Sequence, residues 1–344
     1  MKQVFYNDKG EIYIKNIAPP TLQGPGAIVD TVASFIGTGS ELHGIRRARH
    51  APGDGIKEHA MSYQSCGCIV ELSPELEGFE LGDLVACAGS GFGTHGELSY
   101  APRYTFAKVP EGVTPAEAAS CNLGLTALHA LRRGRFEFGE TVVVIGLGLV
   151  GQLLSQLIHS TGGISIGTDL IDSRLQLAGK LGLDVAINPQ RDNVAEIVRH
   201  HTGGVGADIV IICAASPESS APLELACEIS RDKGRVVMAG LIKVDIPFFS
   251  LRGKELDLLI SRGRGPGTGD PTYERKGVDY PLPYVRWTEN RNLEEYLRLI
   301  ANKAIQVDPL ITHRVPVDRA AEGIEALLNE PENALGVVLE YGNA

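Results

Sequence analysis

The feature that most constrains this chain is a glycine-rich turn set between an apolar strand and an amphipathic helix. Thr141–Ile145 is a β-branched, apolar run, and Gly146-Leu147-Gly148-Leu149-Val150-Gly151 follows it at once as G-x-G-x-x-G. Each glycine serves a distinct physical purpose, Gly146 allowing the tight turn, Gly148 the backbone approach to a pyrophosphate, and Gly151 the close packing of helix on strand. Val150, Leu153, Leu154, Leu157 and Ile158 then recur at helical spacing as one apolar stripe, with Gln152 and Gln156 assigned to the polar face. The N-terminus of such a helix presents unpaired N–H groups and a positive dipole end to phosphates. Asp169 ends the next strand, 18 residues beyond Gly151. A carboxylate there accepts hydrogen bonds from an adenosine ribose diol and repels a 2′-phosphate, which favours NAD(H) over NADP(H). The plainer alternative is a solvated acid at a strand end. Arg174, five residues on, is a candidate for stacking on the adenine.

The pattern around this turn divides the chain. From Glu140 onward six strand candidates alternate with helices: 141–146, 164–169, 185–188, 207–214, 234–240 and 257–261. That alternation predicts a doubly wound parallel sheet, giving an α/β fold class. Residues 1 to about 110 read instead as short strands between Gly/Pro clusters, an all-β module. Residues 263–287 are rich in Gly, Pro and Tyr, too irregular for one element and too long for an idle loop. A helix at 292–301 and a strand at 334–340 suggest that the chain returns to complete the first module.

Composition narrows the function classes. Acidic residues exceed basic ones for a formal charge of −10 over 344 residues, which disfavours nucleic acid and anionic membranes as partners. The longest apolar stretch, 141–154, is well short of the roughly 20 residues that span a bilayer. The first residues lack the pattern of a secretory signal, so the expected compartment is the cytoplasm. Six scattered cysteines fit a reducing compartment, and Cys66 and Cys68 lack the second pair of a zinc knuckle.

With these motifs in place, the chain resembles the medium-chain dehydrogenase/reductase superfamily of zinc-type alcohol, polyol and threonine dehydrogenases over essentially its whole length. The resemblance implies a GroES-like catalytic domain of residues 1–122 and 263–344, a Rossmann NAD-binding domain of residues 123–262, and catalysis in the cleft between them. The family's C-G-[ST]-D-L-H lies on Thr38-Gly39-Ser40-Glu41-Leu42-His43, its G-H-E on Ser62-Tyr63-Gln64, and its third zinc cysteine on Asn122, four residues before the nicotinamide-side Thr126. Every catalytic zinc ligand is thus replaced, by Thr38, Tyr63 and Asn122, with Gln64 for the nearby glutamate. Zinc wants thiolate, imidazole or carboxylate, and the expectation is an enzyme without a metal. A metal retained here would need His43, Glu41, His95 or Glu97, acids and imidazoles of the same module.

A narrower resemblance is to the dehydrogenase half of bi-domain oxidoreductases, in which a zinc-less medium-chain domain is fused to a sugar-oxidoreductase domain. It rests on Gly265-Pro266-Gly267, Asp270-Pro271-Thr272-Tyr273-Glu274, Asp279-Tyr280-Pro281 and Tyr284-Val285-Arg286-Trp287-Thr288-Glu289. It implies saccharide metabolism. The sequence to Ala344 carries no such second domain, so a channelled two-step reaction is not expected.

Hydride transfer from an alcohol without zinc needs hydrogen-bond donors for the substrate oxygen and a group that handles the proton. By position, Tyr63 is the first choice, its phenol donating to the oxygen, and Asn122 is a second donor. Ser40 and His43 fall on the family's proton relay through the nicotinamide ribose. Thr38, Gln64, His95, Arg262, Arg264, Tyr284 and Arg286 are the candidates for substrate contact, suited to a hydroxylated, small-molecule substrate. The alternatives for His95 and the arginines are structural hydrogen bonding and pyrophosphate binding. The expected activity is NAD-dependent oxidation of a secondary alcohol of a polyol, cyclitol or sugar derivative, or reduction of the ketone, in a homodimer or homotetramer. The rival readings are a quinone or enoyl reductase and a non-catalytic NAD-binding sensor.

Overall fold

The computed structural model describes residues 1–37 and 39–342, and of Ser40 the backbone alone. The chain forms two compact units: residues 1–125 with 264–303 and 307–344, and residues 126–263 with 304–306. In chain order the first part contains β1 (Lys2–Asn7), β2 (Ile12–Asn16), β3 (Gly26–Gly37), α1 (Ser40–His50), β4 (Glu58–Ala60), β5 (Gln64–Leu72), β6 (Leu84–Ala88), β7 (Leu98–Pro102), β8 (Phe106–Lys108), α2 (Pro115–Ala118) and α3 (Cys121–Arg133). The middle contains β9 (Thr141–Ile145), α4 (Leu149–Ser160), β10 (Ile164–Thr168), α5 (Asp172–Lys180), β11 (Val185–Ile187), α6 (Val194–His201), β12 (Ala207–Ile212), α7 (Ala221–Ile229), β13 (Ser230–Met238), α8 (Phe248–Arg252) and β14 (Asp257–Ile260). The last part adds α9 (Pro271–Glu274), α10 (Glu289–Ala301), β15 (Ile311–Pro316), α11 (Ala320–Asn329) and β16 (Gly336–Glu340).

The second unit is built on a six-stranded sheet in the order β11-β10-β9-β12-β13-β14, with every neighbouring pair parallel. That is the doubly wound order, with its switch point between β9 and β12. All five residues of β9 are buried, as a strand covered on both faces by helices requires. Leu153, Leu154, Leu157 and Ile158 of α4 are buried as their spacing predicts, whereas Val150 is half-buried and the neighbouring Leu149 is buried instead. Gln152 and Gln156 are not on a solvated face: both are buried. Gln152 Nε2 donates to the carbonyls of Leu147 and Arg174, and Gln156 exchanges two hydrogen bonds with the backbone of Gln306. A covered helix face accepts polar side chains that find backbone partners, although the Oε1 of Gln152 is left buried without one.

The first unit is not all-β. Leu42 and Ile45, three residues apart, are fully buried on α1, with acidic Glu41 in the first turn and Arg47, Arg49 and His50 in the last. One buried edge and charges matched to the dipole suffice for a helix. Burying those two side chains contributes roughly 1.5–3 kcal/mol each. The central strand is β3, twelve residues long, in a sheet ordered β15-β16-β3-β5-β6-β8 with β7 also paired to β3; β2-β1-β4 form a separate small sheet. The chain does return to this unit: β16 pairs antiparallel with β3, and Val317, Ala320, Ile324, Leu327, Val337 and Leu339 share one core with Val4, Ile36, Leu42, Ile45 and Met61. The irregular segment at 263–287 is pinned by Tyr273, buried between the rings of Tyr104 and Tyr280 at centroid distances of 4.8 and 5.4 Å.

Candidate functional site

At the carboxyl end of β9, Gly146 has φ +95°, and a Cβ there would lie 2.8 Å from the Ala214 nitrogen. A Cβ on Gly151 would lie 2.0 Å from the Gly146 oxygen, so helix and turn meet backbone to backbone. Gly148 caps α4 without any side-chain hydrogen bond, which leaves the first N–H groups of the helix to an anion. Leu147 N–H donates to Asp169 Oδ2 at 2.7 Å and Ile171 N–H to Oδ1 at 2.9 Å, while Arg174 Nη1 stands 3.9 Å from Oδ2. A carboxylate offers about four acceptor positions. Asp169 is therefore fastened to the glycine-rich turn with acceptor capacity left for a diol. These residues fit a dinucleotide. Thr126 lies in α3.

In the first unit, Tyr6, Glu41, Ala60, Met61, Ser62, Tyr63 and Ser90 line a concavity of about 190 Å³. The backbone of Tyr63 is held on both sides, N–H donating to Gly93 O at 2.7 Å and its carbonyl accepting from Gly89 N–H at 2.9 Å. Behind the concavity His95 is fully buried. Its Nε2 is 2.6 Å from Glu41 Oε1, and its Nδ1 is 2.8 Å from Ser34 Oγ, which in turn lies 3.0 Å from the Tyr341 hydroxyl. His95 is thus engaged at both ring nitrogens and reaches the concavity through Glu41. His43 lies on α1, half-buried, and is not among the residues lining it. Thr38 and the side chain of Ser40 lie outside the described residues.

A second buried cluster joins positions far apart in the sequence. Arg264 Nε donates to Glu289 Oε2 at 2.8 Å, Nη2 to Glu274 Oε1 at 2.8 Å, and Nη1 to Asn122 Oδ1 at 3.4 Å. The expectation that Arg264 faces the substrate gives way to this arrangement, because its guanidinium is 8% exposed between two carboxylates. Gln64 is likewise committed: its Nε2 donates to Phe35 O at 3.1 Å and its Oε1 accepts from Leu123 N–H at 3.2 Å. Arg262, Tyr284 and Arg286 are exposed, with Arg286 lying over the Trp287 ring. No spacing rule pointed to the Glu41–His95 pair or to the carboxylates around Arg264.

The side chains of Tyr63, Gln64 and Asn122 are not among zinc's usual donors. Tyr63, Gln64 and Asn122 supply a phenol and two amides, and the Arg264 guanidinium beside Asn122 repels a cation. Glu41 and His95 bond to each other, Glu97 accepts from Lys2 N–H at 2.7 Å, and among the described residues no three His, Cys, Asp or Glu come together as a metal group. The cysteines are free thiols, and burial pushes Cys121 up to about 12, far from a thiolate.

Glu289 makes stability depend on pH. Burial pushes its carboxyl up from 4.5 to about 7 against the opposing pull of Arg264, and its Oε1 is buried without a hydrogen-bond partner. A raised folded value means that the folded state binds the extra proton. Its contribution is therefore complete below about pH 4.5 and is lost as pH rises through about 7, by about 3 kcal/mol. Scanning calorimetry of wild type and Glu289→Gln between pH 4.5 and 8 should show the variant gaining on wild type as pH rises; parallel curves would refute this.

Residues 150–271 match the family model described as zinc-binding dehydrogenase. The chain is 28% identical, over 61% of its length and 70% of the relative's, to a sorbitol dehydrogenase of Halalkalibacterium halodurans. It is 32% identical, over 68% of its length and 61% of the relative's, to 2-dehydro-3-deoxy-L-galactonate 5-dehydrogenase of Pseudoalteromonas atlantica. Its fold is similar to that of alcohol dehydrogenase TADH from Thermus sp. ATN1, with a TM-score of 0.79 over 99% of this chain and 100% of that one at 22% identity. Among the described residues no helix is long and apolar enough to cross a membrane.

Proposed function

Because the chain belongs to the medium-chain dehydrogenase/reductase superfamily, among the zinc-type alcohol dehydrogenase-like proteins, we propose that it is an NAD-dependent, zinc-independent dehydrogenase acting on a secondary alcohol of a polyol, cyclitol or sugar derivative. Alcohol and polyol oxidoreductases are what its relatives are, and sorbitol and a sugar-acid derivative appear in their names. The observation that carries the zinc-independent reading is the phenol of Tyr63 and the amide of Asn122 at the zinc positions, with the Arg264 guanidinium bonded to that amide. The carboxylate of Asp169, fastened to the glycine-rich turn, supports NAD over NADP.

When bound, the nicotinamide supplies the hydride acceptor. The remaining work falls to the chain's own groups. The N–H groups of Leu149, Val150 and Gly151 take the pyrophosphate, and Asp169 orients the adenosine ribose. The Tyr63 phenol donates to the substrate oxygen, so the charge that zinc would stabilise falls on a preset hydrogen bond. The exposed edge strand β14, with Ile260 58% accessible, is the surface on which a second copy would pair into a homodimer or homotetramer.

Chelator-treated protein should reduce NAD⁺, and NADP⁺ far more slowly, with at least one pool of polyols, cyclitols, sugars or sugar acids, read by nicotinamide absorbance. Tyr63→Phe should lower kcat by about 10²-fold or more, the usual cost of one oxyanion donor, with NADH affinity unchanged. Silence on every alcohol with reduction of enones or quinones would instead favour the reductase reading, and NADH binding without any turnover the sensor.

A further inference from the structure

Glu41 has no part in the roles above, yet it is the only carboxylate among the residues lining the concavity that Tyr63 shares. Its side chain is 6% exposed, and both oxygens are held: Oε1 by His95 Nε2 at 2.6 Å, Oε2 by the Gly37 N–H at 3.1 Å. An ionised carboxylate only accepts hydrogen bonds, so the imidazole places its hydrogen on Nε2. Nδ1 then accepts from the Ser34 hydroxyl, and Ser34 accepts from the Tyr341 hydroxyl at 3.0 Å. Every donor in this chain points toward Glu41. Tyr341, Ser34 and His95 are buried, so the pocket meets the array only at the carboxylate. Two charge-assisted bonds lock its rotamer and offset the cost of burying an anion.

The proposed chemistry needs such a group. Oxidising an alcohol releases a proton, and the Tyr63 phenol, acting as a hydrogen-bond donor to the oxygen, stabilises charge there without taking a proton up. We propose that Glu41 is the catalytic base that accepts the substrate hydroxyl proton, and that His95 is the positioning residue that holds it. This rests on the alcohol dehydrogenase reading. In the step, the O–H proton passes to a Glu41 oxygen, the carbinol C–H breaks and leaves as hydride to NAD⁺, and the C–O bond becomes the carbonyl. In reverse, the protonated carboxyl returns the proton to the reduced ketone.

The test separates a base from a strut. Glu41→Gln keeps an acceptor for His95 Nε2–H, so a purely structural role predicts an active enzyme. A base predicts a kcat lower by about 10²–10⁴-fold, with the NADH dissociation constant and melting temperature near wild type. The acidic limb of the wild-type kcat/KM profile should vanish in that variant. His95→Gln should cut kcat and move the limb, because it frees the carboxylate. Glu41→Gln turning over like wild type, with the acidic limb intact, would overturn the inference and leave the alcohol dehydrogenase reading standing. Wild type silent on every alcohol and ketone would overturn both. Should Glu41→Gln not fold, Glu41→Asp decides: it keeps the carboxylate and shortens its reach, so kcat should fall with the NADH dissociation constant unchanged, and turnover like wild type would overturn the assignment.

Discussion

Gly151→Ala should sharply weaken dinucleotide binding while a glycine-to-alanine exchange one helix away stabilises the protein. The added Cβ of Gly151 would lie 2.0 Å from the Gly146 oxygen and 3.0 Å from its carbonyl carbon, and neither backbone atom can swing aside as a side chain would. Relief requires α4 to move off the end of β9. The N–H groups of Leu149, Val150 and Gly151 would then no longer converge with the turn that Asp169 holds at Leu147. Overpacking of this kind costs roughly 1–3 kcal/mol of stability, and NADH affinity should fall by about 10²-fold or more, since several preset hydrogen bonds are lost together. Gly179, exposed near the end of α5, has nothing within 4 Å of its would-be Cβ. Alanine there should add about 0.5–1 kcal/mol by restricting the unfolded chain. Fluorescence titration with NADH and thermal melts of both variants check the pair. A Gly151→Ala protein that binds NADH like wild type would refute the nucleotide assignment of this turn.

Arg264→Met should strongly destabilise the first unit. It removes the cation bonded to both Glu274 and Glu289, whose side chains are 12% and 2% exposed. Breaking one side of a buried charge cluster costs about 3–5 kcal/mol, because the remaining charges lose their partner without regaining water. Adding Glu289→Gln should recover part of the loss, since it removes one stranded carboxylate, and the two substitutions should couple by about 0.5–3 kcal/mol. Arg286→Met, at an exposed arginine, should stay within about 0.5 kcal/mol of wild type. Denaturant midpoints measure all four. An Arg264→Met protein within about 1 kcal/mol of wild type would mean that the carboxylates relax or protonate without cost.

Much of the second unit was legible in the chain. Val142, Val143 and Val144 beside glycines, an apolar helical stripe and an acid at the next strand end each report on a few neighbouring residues, and the parallel sheet follows from their repetition. Gln152 and Gln156 misled because amphipathic spacing assigns polar residues to solvent, whereas contacts with Arg174 and Gln306 bury them. In the first unit, α1 hid among strands because it contributes only Leu42 and Ile45 to the core at full burial.

By itself, then, the sequence determined the doubly wound half and its glycine-rich turn, both matters of residue type and short spacing. The tertiary structure alone decided which polar groups act together. Glu41 and His95 are 54 residues apart, Asn122 and Arg264 are 142, and Ser34 and Tyr341 are 307. Such pairs leave no periodic trace, because burial selects them only once β3, β16 and α1 have packed, and a buried carboxylate or guanidinium then takes whichever partner the fold brings within reach.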